Sequence, residues 1–273
     1  MTLILQRPTG SKLTLRRGVA MSWKITPSWS FADPDAAAYA AAVEAADGQA
    51  LENGVKVAYD NFVLGCKADG AWNAIKASCI LAGARTLAGA LVPLVGTAPT
   101  NYNFVAGDYN RETGLLGDGS TKYLDSNRAN NAEGQNDKHL AIYLTEPGVT
   151  SSDLISSGLG VGHSRLTFAT PTTLAATVNT TSQYVGSTTL VDFLAASRSS
   201  SSGFDVREGG QTYFHSGLSQ TPQSSNISVF SRDGTTAFTD SRLVFYSIGE
   251  SLDLTLLDSR VTTLMSDLAA AIP

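Results

Sequence analysis

Between Tyr123 and Ile248 the chain carries ten short runs that are apolar or alternate apolar with polar residues, each bounded by Gly, Pro, Asn, Asp or Ser. This pattern limits the possible fold more than any other feature. The runs are Tyr123 to Asp125, His139 to Thr145, Leu154 to Ser157, Arg165 to Ala169, Leu174 to Val178, Leu190 to Ala196, Phe204 to Arg207, Thr212 to His215, Ile227 to Phe230 and Arg242 to Ile248. So many short strands at such spacing describe an antiparallel sandwich. Composition agrees: 16% of the residues are charged, below the roughly one quarter of an average soluble domain, with Gly, Ser, Thr and Asn in their place. Residues 97–121 are rich in turn residues, and SRSSSSG from Ser197 to Gly203 reads as a loop within one domain.

Helical patterns flank the strands. Asp33 or Asp35 can cap a helix, Pro34 suits its first turn, and AAAYAAAVEAA follows. Asp47-Gly48 ends it. A second helix is predicted from Gln49 to Leu64, with Leu51, Val55, Ala58, Tyr59, Phe62 and Val63 on one face. A third is predicted after Asp69-Gly70, with Trp72, Ile75, Cys79 and Ile80 as its stripe. The last spans Leu252 to Ile272. Its apolar face is Leu254, Leu257, Val261, Leu264, Met265, Leu268 and Ile272, while Asp253, Asp258 and Asp267 face elsewhere; it is read as a lid on the fold.

Charge is unevenly placed. Residues 1–32 hold Arg7, Lys12, Arg16, Arg17 and Lys24 and no acidic residue, so they carry +5 and the remainder −10 of the net −5. KLTLRR alternates like a strand. An extended basic arm suits an acidic protein surface better than nucleic acid, because no aromatic cluster is interleaved with its charges; a solvated segment fits equally well. Cys66 and Cys79 both fall in segments that read as helical, so no disulfide framework is expected. The apolar runs are too short or too broken for a signal peptide or a membrane span, and no membrane contact is expected.

Two stretches carry a resemblance. LLGDGSTKYLDSNRANNAEGQNDKHLAIYLT, from Leu115 to Thr145, places a G-D-G-S-T-K-Y-L-D element before a polar spacer and an apolar strand. RLVFYSIGESLD then runs into the helix LLDSRVTTLMSDL, between Arg242 and Ala270. Together with the helical block from Ala36 to Asn110, they resemble phage and prophage virion structural proteins with concanavalin A-like, laminin G-like jelly-roll domains. The likeness covers residues 36 to 271. It implies a mainly β jelly-roll sandwich with an extended arm (1–32), a helical segment (33–96) and a sandwich ending in a C-terminal helix (97–273). It also implies a place in the virion, assembled in the host cytoplasm, and partners among other virion proteins such as the major capsid protein or tail proteins. A trimer is suggested by analogy alone. Fold does not fix function, so the site must be argued separately.

Laminin G-like domains sometimes bind calcium beside a glycan, and Asp108, Asp118 and Asp125, with Asn110, could supply hard oxygen ligands; Gly-Asp-Gly is equally a hairpin sequence. A host surface glycan would need an aromatic face. Tyr109, Tyr184 and Tyr213 are the candidates, with Tyr102 and Trp72 also available, and each also fits core or loop packing. Concanavalin-like folds host glycoside hydrolases too, but the E-x-D-x-E run is missing. Glu250/Asp253 and Asp205/Glu208 are the nearest acid pairs, read as capping or solvated residues. His139, His163 and His215 lie singly, without ligand spacing; there is no G-x-S-x-G elbow and no phosphate-binding loop. The expectation is a non-enzymatic head-decoration or fibre protein without a cofactor, docked through its arm, where Arg16, Arg17 and Lys24 set the register. The alternative is a tail adhesin that binds glycan, and a glycan-degrading enzyme ranks third.

Overall fold

In a computed structural model, which describes residues 30–148, 151–170, 172–187 and 192–273, each of the ten sequence runs overlaps a strand. In chain order the elements are helices α1 (Pro34–Asp47) and α2 (Asn53–Ala68), strand β1 (Ile75–Ile80), the short helix α3 (Leu87–Ala90), and strands β2 (Thr100–Tyr102), β3 (Tyr109–Asn110) and β4 (Gly114–Leu116). Then come β5 (Tyr123–Ala129), β6 (Lys138–Glu146), β7 (Ser152–Ser156), β8 (Arg165–Thr170), β9 (Thr173–Thr177), β10 (Tyr184–Ser187) and β11 (Asp192–Arg198). The chain continues through β12 (Gly203–Glu208), β13 (Gln211–Ser216), β14 (Asn226–Val229) and β15 (Arg242–Gly249) to the C-terminal helix α4 (Leu254–Ala271).

Among the described residues the strands form two antiparallel sheets. The front sheet runs β13-β12-β11-β6-β15-β4-β3, with β1 also paired to β15, and the back sheet runs β10-β9-β8-β7-β14-β5-β2. Alternation along each strand sends Leu140, Ile142, Leu144, Leu194 and Ala196 from the front, and Leu154, Leu166, Phe168 and Leu174 from the back, into one shared core. The opposite face of the front sheet is also apolar. Ala141, Phe193 and Ala195 meet Val55, Phe62, Leu257, Val261 and Leu264 of α2 and α4 in a second core. In β15 the register slips between Leu243 and Phe245, so Val244 and Phe245 both face the helices while Leu243 and Tyr246 face the shared core.

The helical layer is tied down by charge. Asp33 caps α1 and is bridged by Lys67; Arg260 of α4 grips Asp69 at the end of α2; and Glu52, just before α2, takes both terminal nitrogens of Arg111, which hold its pKa down to about 2. Gly54 lies where α2 meets the end of α4, and a Cβ there would collide with Ala271.

Several expectations need correction. The stripe after Gly70 is not a helix: Trp72–Ala74 form one 3₁₀ turn, and Ile75–Ile80 is a strand of the front sheet paired with β15. Residues 33–96 are therefore not a separate helical segment. Cys79 lies on that strand, and both cysteines are free and buried, their thiols pushed up to about 12 by burial. The second helix starts at Asn53 and ends at Ala68. Asp258 does not face away: it bonds Arg207 of β12 and fastens α4 to the front sheet. Residues 1–29 of the basic arm, with Arg7, Lys12, Arg16, Arg17 and Lys24, lie outside the described residues. No helix among those described is long and apolar enough to cross a membrane.

Candidate functional site: the open edge of the sandwich

The two sheets end side by side, β10 at the edge of the back sheet and β13 at the edge of the front one. Pairing fixes which side chains fill the gap. Tyr184 lies opposite Ala176, Tyr213 opposite Val206 and His215 opposite Phe204, and each of these partners points into the shared core. Tyr184, Tyr213 and His215 therefore turn inward at the open edge.

There Tyr184 stacks on Tyr213, with ring centroids 6.0 Å apart and planes 29° apart, and meets the His215 ring edge-on at 6.1 Å. Tyr213 keeps 44% of its surface exposed, so the pair has an accessible aromatic face. The Tyr184 hydroxyl donates to Oε1 of Glu208 at 2.8 Å. Burial and this carboxylate raise the Tyr184 phenol well above its ordinary range. Oε2 of Glu208 is buried without a partner. Gly186 makes room for the carboxylate, since a Cβ there would collide with Glu208 and with the Tyr184 hydroxyl. His215 Nε2 lies 3.0 Å from the Ser182 hydroxyl, and burial lowers its pKa. Behind the site Arg198 is fully buried; it donates to the carbonyls of Val178, Ser200 and Gly217 and lies over the Phe204 ring. The edge thus offers aromatic faces flanked by a carboxylate, an imidazole and a hydroxyl, the groups that suit a ring with one apolar face and polar substituents.

Of the three candidate stacking tyrosines, Tyr184 and Tyr213 meet and Tyr109 does not. Tyr109 packs between the two cores and donates to the Ala84 carbonyl at 2.8 Å. Tyr102 forms a separate pair with Tyr123 near the other edge of the back sheet, at 4.3 Å and 3°. Trp72 lies beneath the Lys67 ammonium.

Each acidic calcium candidate is occupied locally. Asp108 pairs with Lys122 at 2.6 Å. Asp118 accepts from the backbone of Ser120, Thr121 and Lys122, which holds its carboxyl far below the usual range against the opposing effect of burial. Asp125 accepts from Asn127 and Asn226, and Asn110 caps its own turn. Among the described residues no group of three or more His, Cys, Asp or Glu is gathered to hold a metal.

The acid pairs separate as well. Asp253 caps α4 and Glu250 pairs with Lys76. Glu208, expected to be solvated in a turn, is instead buried on β12 and faces inward, while Asp205 points to the opposite face of the same sheet. These two carboxylates cannot flank one bond. His139 and His163 are buried structural groups, bonded to Ser247 and to the Gly160 carbonyl respectively. Glu208 as a partner of Tyr184 was not legible in the sequence, because only the pairing of β9 with β10 and of β12 with β13 brings them together.

No family model matches the chain, and no curated protein matches it. Solved structures do. The binding domain of botulinum neurotoxin serotype D superposes with a TM-score of 0.51 at 8% identity, over 73% of this chain and 52% of that one. A Trypanosoma rangeli sialidase in complex with 2-keto-3-deoxy-D-glycero-D-galacto-2,3-difluoro-nononic acid gives 0.45 at 14% identity, over 71% of this chain and 33% of that one. The chain spans about half the length of the toxin domain. At this identity the likeness shows the fold alone: a mainly β, two-sheet antiparallel sandwich carrying a C-terminal helix.

Proposed function

We propose that the chain is a non-enzymatic structural protein of a tailed-phage virion, a head-decoration or fibre protein whose sandwich is the displayed body and whose basic N-terminal residues dock it. The observation that carries this reading is the centre of the front sheet, strands β6, β11 and β15, buried on both faces inside residues 31–273. Such a body completes its own cores, and in this reading the five positive charges of Arg7, Lys12, Arg16, Arg17 and Lys24 meet a neighbour, the major capsid protein or a tail protein. The sequence resemblance over residues 36–271 supplies the virion. Electron cryo-microscopy of the intact particle is the test. Density of this shape at repeated sites on the head, with the arm against the shell, supports the reading; density confined to the tail tip overturns it.

The Tyr184–Tyr213 pair favours a second reading, a tail-associated adhesin that binds a host surface glycan. Its test is a glycan array with the wild type and Tyr213→Ala, in which a defined saccharide signal must vanish in the variant.

A further inference from the structure

Around Asp153 two cations share one anion. Arg165 and Thr167 alternate along β8 with Leu166 and Phe168, which fill the shared core, so they lie on the outer face of the back sheet. Asp153, fully buried beside them, is held by Arg232 at 2.9 Å and 3.4 Å and reached by Arg165 at only 3.7 Å. Arg165 has one further bond, to Oε1 of Gln183 at 3.0 Å, and its Nε is buried without a partner. Burial draws its pKa below the ordinary arginine value, and the neighbouring Arg232 charge adds to this. Asp233 also attracts Arg232, while Thr235 donates to its Oδ1. His163 nearby is kept neutral by burial. With Asp233 counted, two guanidiniums face two carboxylates and the charges balance, but Arg165 is the less well served guanidinium, with hydrogen-bonding capacity left over.

A pocket of about 220 Å³ opens here, lined by Arg165, Arg232, Gln183, Ser151, Thr167 and Ala169 among others. The hydroxyls have a direction. Ser151 donates to the Ala169 carbonyl and Thr167 to the Ser152 carbonyl, so both hydroxyl oxygens are left to accept. A matching ligand brings an anionic acceptor for the guanidinium fork and hydroxyl donors for the rim. We propose that this pocket binds the carboxylate-bearing unit of an acidic saccharide. The site is separate from the tyrosine edge and from any docking by the arm, so its test stands whether or not those readings do.

Isothermal titration of the full chain with glucuronate, N-acetylneuraminate, glucose and sodium sulfate tests it. Ala169→Trp fills the mouth while leaving the Asp153 pairs intact, and Arg165→Gln removes the guanidinium, with thermal melts to confirm that both variants fold. The expected result is binding of an acidic sugar, none of glucose, weakening with added salt, and a loss in affinity of at least about tenfold in Ala169→Trp. Heat from sulfate alone, equal binding of glucose, no binding of either acid, or an acid signal that survives Ala169→Trp would each overturn the proposal.

Discussion

The front and back sheets share a core but differ on their outer surfaces. The centre of the front sheet is apolar on both sides, and β15 is buried along its whole length after Arg242, because α2 and α4 cover it. The back sheet sets Arg165, Thr167 and Asp153 on its outer side, and its edge strand β10 leaves Val185 59% exposed. Burial on two faces makes the front sheet the stabilising half. The back sheet and the open edge are free to vary their surface chemistry, and both candidate ligand sites lie there.

The comparison breaks first at the front sheet. Phe245→Ala removes a ring that meets Phe62 of α2 edge-on at 5.9 Å and should cost about 3–5 kcal/mol, read as a fall in the urea midpoint. If that loss is under about 1 kcal/mol, the helices do not hold the front sheet as described.

Acid should weaken the same half next. His139, on β6, is held neutral by burial with its pKa lowered to about 4. The unfolded chain takes up its proton near the ordinary value of about 6.5. Stability from this group is whole above that value and declines as the pH falls towards 4, by roughly 3 kcal/mol in all. His139→Gln should flatten the melting temperature between those limits.

At the open edge the expected effect is smaller. Tyr184→Phe leaves both oxygens of the buried Glu208 carboxylate unpaired and should cost about 1–3 kcal/mol. Restoring stability with the added change Glu208→Gln would show that the charge, and not the ring, is responsible. Smallest of all, Val185→Ser on the outer face should move the midpoint by no more than about 0.5 kcal/mol.

The strands from Tyr123 onward are legible because each is short, apolar and fenced by turn residues. Ile75–Ile80 is not, for the reason that makes the front sheet stable. With both faces buried it shows no alternation, and Trp72, Ile75 and Cys79 fall at helical spacing by coincidence. β2, β3 and β4 are too brief to stand out among the turns of residues 97–121. Of the candidate site, the residue types were legible and the meeting was not. Tyr184 and Tyr213 are joined through the two sheets, whereas Tyr109 has the same chemistry and is spent on packing.

The pairing of β1 with β15 bears on how the chain is made. The Ser78 hydroxyl bonds the Tyr246 carbonyl across 168 residues of sequence, and β15 also lies between β6 and β4. During synthesis the centre of the front sheet stays vacant until β15 leaves the ribosome, and α1 and α2 have only part of their sheet, β6 and β11, to rest on before then. Such long-range closure makes folding slow and late. The helices made first are anchored last, so a ribosome stalled before Arg242 holds an unfinished chain with its apolar helix faces open to chaperones.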